Sequence, residues 1–305
     1  MDLSDLNTTS TTLSEPTREA LATAGLDEAY VLDLVRRAVA EDLAGGVDVT
    51  SVATVPSGLR GVAAFVPREA GTVAGTSVAM AVLDVVVPGV EHRVAGRDGV
   101  AAVPGTAVLE AVGPVRELLT AERTALNLLC HLSGVATQTR RWVDAVEGTG
   151  ARIRDTRKTT PGLRALEKHA VRCGGGANHR MSLSDAALVK DNHVVAAGGV
   201  REAFEAVRAA FPGLAVEVEC DTVAQVREVL AAGADLVLLD NMTPEQLRES
   251  VTLCRARGVL TEASGGLTLA AAREVAETGV DFLAIGALTH SAPVLDLGVD
   301  LRTDL

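Results

Sequence analysis

All three lysines of this 305-residue chain, Lys158, Lys168 and Lys190, fall between residues 152 and 193, while arginine supplies every other side-chain cation. The same window holds nine of the 28 Lys and Arg residues, three of the six histidines and only four acids, in a chain of formal charge -12. An ammonium is a compact, strongly hydrated point charge, whereas a guanidinium is a planar fork. Lysines retained in an arginine-biased chain mark points where a small cation meets phosphate or carboxylate. The window reads as a cationic binding site within an acidic protein. Lys168 sits in a helical pattern and reads as a surface charge of that helix.

The charged residues recur at the ends of short apolar runs: Arg152 to Asp155, Ala187 to Lys190, Val216 to Glu219, Leu236 to Asp240, Val259 to Glu262 and Phe282 to Ile285. Amphipathic helical patterns separate the runs, and such alternation predicts a parallel sheet. In a β/α barrel the active site lies at the carboxyl ends of the strands. The expected strand ends supply Arg157, Lys158 and Thr159; Lys190, Asp191 and Asn192; Glu219; Asp240 and Asn241; Ser264, Gly265 and Gly266; and Gly286. Glu219 and Asp240 could bind ribose hydroxyls, hold Mg²⁺ or stabilise a developing cation. The glycine-bearing loops offer backbone N–H groups to a phosphate. Gly174 to Arg180 gives a flexible approach to His179 and Arg180, suited to bidentate carboxylate binding. Zinc is a weaker reading, because Cys173 and His179 have no matched second pair.

The elements that must carry these residues divide the chain. Residues 1–24, rich in Ser and Thr, read as a mobile tail. Residues 25–135 read as an α+β domain with β-like segments at Gly61 to Val66 and Ala107 to Gly113, rejoined by residues 287–305. A helical pattern runs from Leu118 to Val146. Residues 136–286 read as the barrel. No GxGxxG or GxxxxGK[ST] follows any expected strand, which argues against a dinucleotide fold and a P-loop.

Composition excludes several classes. Hydrophobic content of 48% supports a sizeable core in a soluble protein. No apolar run reaches the roughly 20 residues of a membrane span. The first residues lack a basic segment followed by an apolar block, so no secretory signal is expected. Four scattered cysteines without a CxxC pair fit reduced thiols in a cytoplasm. An acidic chain with 2% aromatics lacks the basic face and stacking platforms of nucleic-acid binders.

Taken in order, EDLAGGVDVTS (Glu41 to Ser51), AERTALNLLCHLSGVAT (Ala121 to Thr137), DTRKTTPGLRALEKHAV (Asp155 to Val171), GGGANHR (Gly174 to Arg180), LVKDNH (Leu188 to His193), VEVE (Val216 to Glu219), LLDNM (Leu238 to Met242) and EASGG (Glu262 to Gly266) resemble the quinolinate phosphoribosyltransferase family. The resemblance extends from about Val31 to Asp300. It implies an incomplete β/α barrel of about six to seven parallel strands with an N-terminal α+β open sandwich domain. It implies phosphoribosyl transfer from phosphoribosyl pyrophosphate to quinolinate, with loss of pyrophosphate and CO₂, in NAD synthesis. It further implies a Mg²⁺ requirement and a homodimer with shared active sites, which could assemble further into a hexamer.

By the same resemblance, Arg157, His179, Arg180 and Lys190 would surround the two quinolinate carboxylates, with Arg123 reaching in from the neighbouring subunit. Lys158 and Thr159 would lie toward the pyrophosphate, and Glu219 and Asp240 near the ribose and metal. Ser264, Gly265, Gly266, Gly286, Ala287 and His290 would lie near the 5′-phosphate. Lys158, Lys190, Glu219 and Asp240 would carry the chemistry, without a covalent nucleophile. Two rivals remain: a non-decarboxylating enzyme for nicotinate or a related aromatic acid, and a silent phosphate-binding barrel.

Overall fold

The computed structural model describes residues 12–94 and 97–303. The chain divides into two compact units, Met1–Gln138 with Ala165–Gly174 and Ala292–Leu305, and Thr139–Arg164 with Gly175–Ser291.

The first unit begins with α1 (Glu15–Ala24), α2 (Glu28–Leu43) and α3 (Val49–Thr54). β1 (Arg60–Pro67), β2 (Gly71–Thr72), α4 (Thr76–Val86), β3 (Glu91–Val94), β4 (Ala101–Ala102) and β5 (Leu109–Pro114) follow, and then the long helix α5 (Val115–Ala145). The last residues of α5, from Thr139, belong to the second unit, whose first strand is β6 (Arg152–Arg154); α6 (Arg164–Cys173) lies almost wholly in the first. β7 (Ala187–Val189), α7 (Asp191–Ala197), α8 (Val200–Ala210), β8 (Val216–Cys220), α9 (Val223–Ala231), β9 (Leu236–Asp240) and α10 (Pro244–Arg255) continue the second unit. β10 (Leu260–Ser264), α11 (Ala272–Ala276), β11 (Phe282–Ala284) and α12 (Ala287–His290) complete it, and β12 (Leu297–Arg302) belongs to the first.

In the first unit an antiparallel sheet runs in the order β12-β1-β5-β3. β1 is rich in small and β-branched residues and buried along all but its first position. Gly61 must be bare: a Cβ there would lie 2.6 Å from the Arg302 carbonyl of β12 and 2.9 Å from Val115. α4 is buried from Thr76 to Val85 and is therefore a core helix. Its one acid, Asp84, accepts hydrogen bonds from the Ser14 N–H and hydroxyl and pairs with His92 at 2.7 Å.

Those bonds overturn part of the expected tail. Residues 15–24 form α1, with Thr17 and Leu21 buried and Gly25 closing the helix in the left-handed conformation. Residues 1–11 of that expectation lie outside the described residues. α6 is a second correction, because it was read as part of the barrel and belongs to the first unit. Six consecutive α6 residues, Leu166 to Val171, are buried. Lys168 is therefore an interior residue with no exposed surface, contrary to the surface charge read from sequence.

In the second unit six parallel strands run in the order β6-β11-β10-β9-β8-β7. The first two strands in sequence are the two edges of the sheet. Each observed strand lies within two residues of its expected position. Thr222 with Gln225 and Thr243 with Gln246 form capping boxes that start α9 and α10 immediately after β8 and β9. Caps of this kind contribute about 1 kcal/mol each and fix where the strand-end loops stop. No helix among the described residues is long and apolar enough to cross a membrane.

Candidate active site

Because the sheet order makes β6, β11, β10, β9, β8 and β7 successive neighbours, the loops at their carboxyl ends succeed one another in the same order. Those strand ends and the loops after them carry, in turn, Arg157 and Lys158, Gly286, Ser264 to Gly266, Asp240, Glu219, and Lys190. Hydrogen bonds, close contacts and charge interactions link most of them into local groups.

Lys158, Gly286 and His290 form the first group. A Cβ on Gly286 would stand 2.9 Å from Lys158 Cδ and 3.2 Å from His290 Nε2. Thr289 donates its hydroxyl to the Lys158 carbonyl at 2.7 Å, tying α12 to the loop after β6. Ala287 is the first residue of α12. Thr159 accepts from Arg164 Nε at 3.0 Å, and Arg164 also donates to the Met181 carbonyl at 3.1 Å. Arg164 thus braces the loop that presents Arg157, a role the sequence did not suggest.

Glu219, Asp221 and Asp240 form the second group, with one carboxylate oxygen from each within 4.8 Å of the others. Burial raises the Glu219 carboxyl above its ordinary value; Lys190 opposes this, and Asp240, Asp191 and Asp221 add to it. Three hard oxygen donors in one place suit Mg²⁺. Asp221 was absent from the expected set, although it directly follows β8.

Arg157 and Arg180 form the third. Burial, and then the positive charge of Arg157, lower the Arg180 guanidinium. Arg157 Nε is buried without a hydrogen-bond partner. Two like charges with an unsatisfied donor between protein walls are stabilised by an anion.

His179 differs from the role expected of it. Its Nε2 lies 2.6 Å from Glu217 Oε2 and 3.6 Å from Glu262 Oε1, and its Nδ1 accepts the Arg180 N–H at 2.6 Å. Its own backbone N–H donates to Asp155 at 2.8 Å. Both ring nitrogens are engaged by protein groups, one by the Glu217 carboxylate and the other by the Arg180 backbone.

Beneath it lies a buried ionic network missed at the level of sequence. Arg154 donates to Glu262 at 2.7 Å and stacks over Phe282 at 4.8 Å. Burial pushes the Glu262 carboxyl up to about 8; Glu217 adds to this and Arg154 opposes it. The visible signal was the VEVE alternation, which puts Glu217 on the same face of β8 as Glu219 but deeper.

Arg123 lies on α5 in the first unit, with its side chain 64% exposed and 4.0 Å from Glu122. The four cysteines are free, and burial raises each thiol: Cys173 to about 12, Cys254 to about 11, and Cys130 and Cys220 in the same direction. None has the lowered value of a nucleophile.

Residues 48–133 match the N-terminal domain of quinolinate phosphoribosyl transferase and residues 135–300 its C-terminal domain. The chain is 54% identical over 273 residues to the carboxylating nicotinate-nucleotide pyrophosphorylase of Mycobacterium leprae, covering 88% of this chain and 96% of that protein. The structure of NadC from Streptococcus pyogenes superimposes with a TM-score of 0.86 at 38% identity, covering 91% of this chain and 98% of that one. Human nicotinic acid phosphoribosyltransferase, at 17% identity and TM-score 0.57, shares the fold over 83% of this chain and 72% of its own.

Proposed function

This chain belongs to the quinolinate phosphoribosyltransferase family, and from that premise we propose that it transfers phosphoribosyl from phosphoribosyl pyrophosphate to quinolinate with decarboxylation. The products are nicotinate mononucleotide, pyrophosphate and CO₂, in a step of NAD biosynthesis. The observation that carries the dicarboxylate is the pairing of Arg157 with Arg180, two cations with an unpartnered buried donor. A second, nearby carboxylate on the acceptor answers that charge; nicotinate offers one.

Arg157, Arg180 and Lys190 would neutralise and orient quinolinate, with His179 bonded to the Arg180 backbone. Lys158 and Thr159 would face the pyrophosphate, and Ser264 to Gly266, Gly286, Ala287 and His290 the 5′-phosphate. Glu219, Asp221 and Asp240 would hold Mg²⁺, which when bound neutralises pyrophosphate charge. As pyrophosphate leaves, positive character develops at the anomeric carbon, and the same oriented carboxylates stabilise it. The ring nitrogen attacks that carbon and becomes cationic. Loss of CO₂ from the neighbouring carbon leaves an electron pair stabilised by the adjacent cation, and that carbon takes up one proton. Positioning and neutralisation supply the rate enhancement, without a covalent intermediate.

The test is incubation with phosphoribosyl pyrophosphate, Mg²⁺ and either quinolinate or nicotinate, following pyrophosphate together with labelled CO₂ from the quinolinate 2-carboxyl. Equal release of both products with quinolinate only is expected. Pyrophosphate release with nicotinate alone overturns the dicarboxylate, and no turnover with either points to a silent barrel.

Arg123 would complete the site of a partner subunit in a homodimer, and a cytoplasmic location fits the free thiols. Arg123→Ala and Lys190→Ala, each inactive alone, are expected to regain activity when mixed, because a mixed dimer holds one intact site. Verified heterodimers without activity would remove sharing from the proposal.

A further inference from the structure

The loops after β9 and β10 meet on one side chain. Asn241 follows Asp240 with φ of 53°, and Ala44 is the only other non-glycine at positive φ among the described residues. Its backbone N–H donates to the Ser264 carbonyl at 3.0 Å. Its side-chain amide donates to Asp240 Oδ2 at 2.5 Å. Gly265, at φ of 88°, packs against it so closely that a Cβ would lie 2.8 Å from the Asn241 nitrogen and nearer still to its amide oxygen. A turn alone would be served by glycine, which adopts positive φ without steric cost. Asparagine tolerates that backbone and adds a donor, and here the donor is spent on a carboxylate of the acidic group.

We propose that Asn241 is a positioning residue for the phosphoribosyl half of the site: it fixes the Asp240 carboxylate through Oδ2, leaves Oδ1 for a cation or ribose, and holds the Ser264–Gly266 loop in register with it. The inference rests on the function proposed above. It predicts an effect confined to one substrate, because Arg157, Arg180 and Lys190 lie on other loops.

Asn241→Gly keeps the backbone conformation and removes the amide. Asn241→Asp keeps the size and the tolerance of positive φ, but cannot donate when ionised. Calorimetric titration of each with phosphoribosyl pyrophosphate at saturating Mg²⁺ gives a readout independent of turnover. Both variants are expected to bind it about tenfold more weakly than the parent protein, the usual effect of losing a hydrogen bond to a charged group. KM for phosphoribosyl pyrophosphate should rise in parallel, while KM for quinolinate stays within about twofold and Tm within about 3 °C. Unchanged binding in either variant overturns the inference, as does an equal loss for both substrates accompanied by a large fall in Tm. If the parent protein binds phosphoribosyl pyrophosphate but releases nothing with quinolinate, the proposed reaction fails while the binding comparison still decides the role of Asn241. If the parent protein does not bind it, both fall.

Discussion

Among the described residues three side-chain clusters have spacing suited to a metal ion, and two of them, Asp98 with His169 and Cys173 in the first unit and Glu219 with Asp221 and Asp240 in the second, stand at opposite extremes; His179 with Glu217 and Glu262 is the third. The chemistry of the two extremes diverges because one is saturated and the other is not. Asp98 accepts from the Gly75 and Thr76 N–H groups, from the Thr76 hydroxyl and from His169. Burial pushes its carboxyl up, but those bonds outweigh it and hold the carboxyl below its ordinary value. The cluster caps α4 and ties it to α6. In the acidic cluster only Asp240 accepts a side-chain hydrogen bond among the described residues, and burial raises Glu219. Saturation of polar atoms, more than residue type or spacing, separates a structural cluster from one with acceptor atoms to spare.

The sharpest way to break that distinction is to remove a charge from each side. Lys190→Ala takes a cation from beside Glu219, where it supports no core. We expect kcat/KM to fall at least about 10³-fold with Tm nearly unchanged; normal turnover in the folded variant would remove Lys190 from the site. Asp98→Ala should do the reverse. Leaving His169 without its acceptor and α4 without its cap is expected to cost about 3 kcal/mol in denaturant unfolding. The protein that remains folded should keep its kcat/KM, and a selective kinetic loss without destabilisation would place Asp98 on the functional side.

Glu262 tests the intermediate case, a buried network with orphan oxygens on Glu217 and Glu262. Its folded value of about 8 lies above the ordinary 4.5, so the folded state holds a proton that the unfolded chain releases. Stability from this group is complete below about pH 4.5 and is lost as pH rises through about 8. Glu262→Gln should flatten that decline, by an amount on the order of a few kcal/mol between pH 5.5 and pH 8.5. Parallel stability curves for the two proteins would put the proton elsewhere. The smallest expected effect is at Cys173: with its thiol raised to about 12, alkylation at pH 8 should be far slower than that of a free thiol in the unfolded chain, and rapid labelling would mean that the His169 cluster opens.

Much of the second unit was legible because its signals are local. Short apolar runs alternating with amphipathic helices predicted all six strands, and the polar residues after them identified Lys158, Lys190, Glu219, Asp240 and the Ser264 to Gly266 loop as neighbours at one end of the sheet. The first unit was less legible. α4 reads only as an apolar stretch, because a helix buried all round has no amphipathic pattern. α1 reads as tail, because its anchor, Asp84, lies 70 residues away from Ser14.

The amino-acid sequence by itself determined the family, which strand ends carry ionisable residues and the charge a ligand must bring, since each depends on residue type and near-neighbour spacing. Only the tertiary structure decided which charges are available. Lys168 and Glu262 are interior, His179 has both ring nitrogens engaged, and Asn241 binds the carboxylate beside it. Whether an ionisable group faces water, a partner or nothing depends on segments far apart in the chain, and desolvation acts on it only once they have come together.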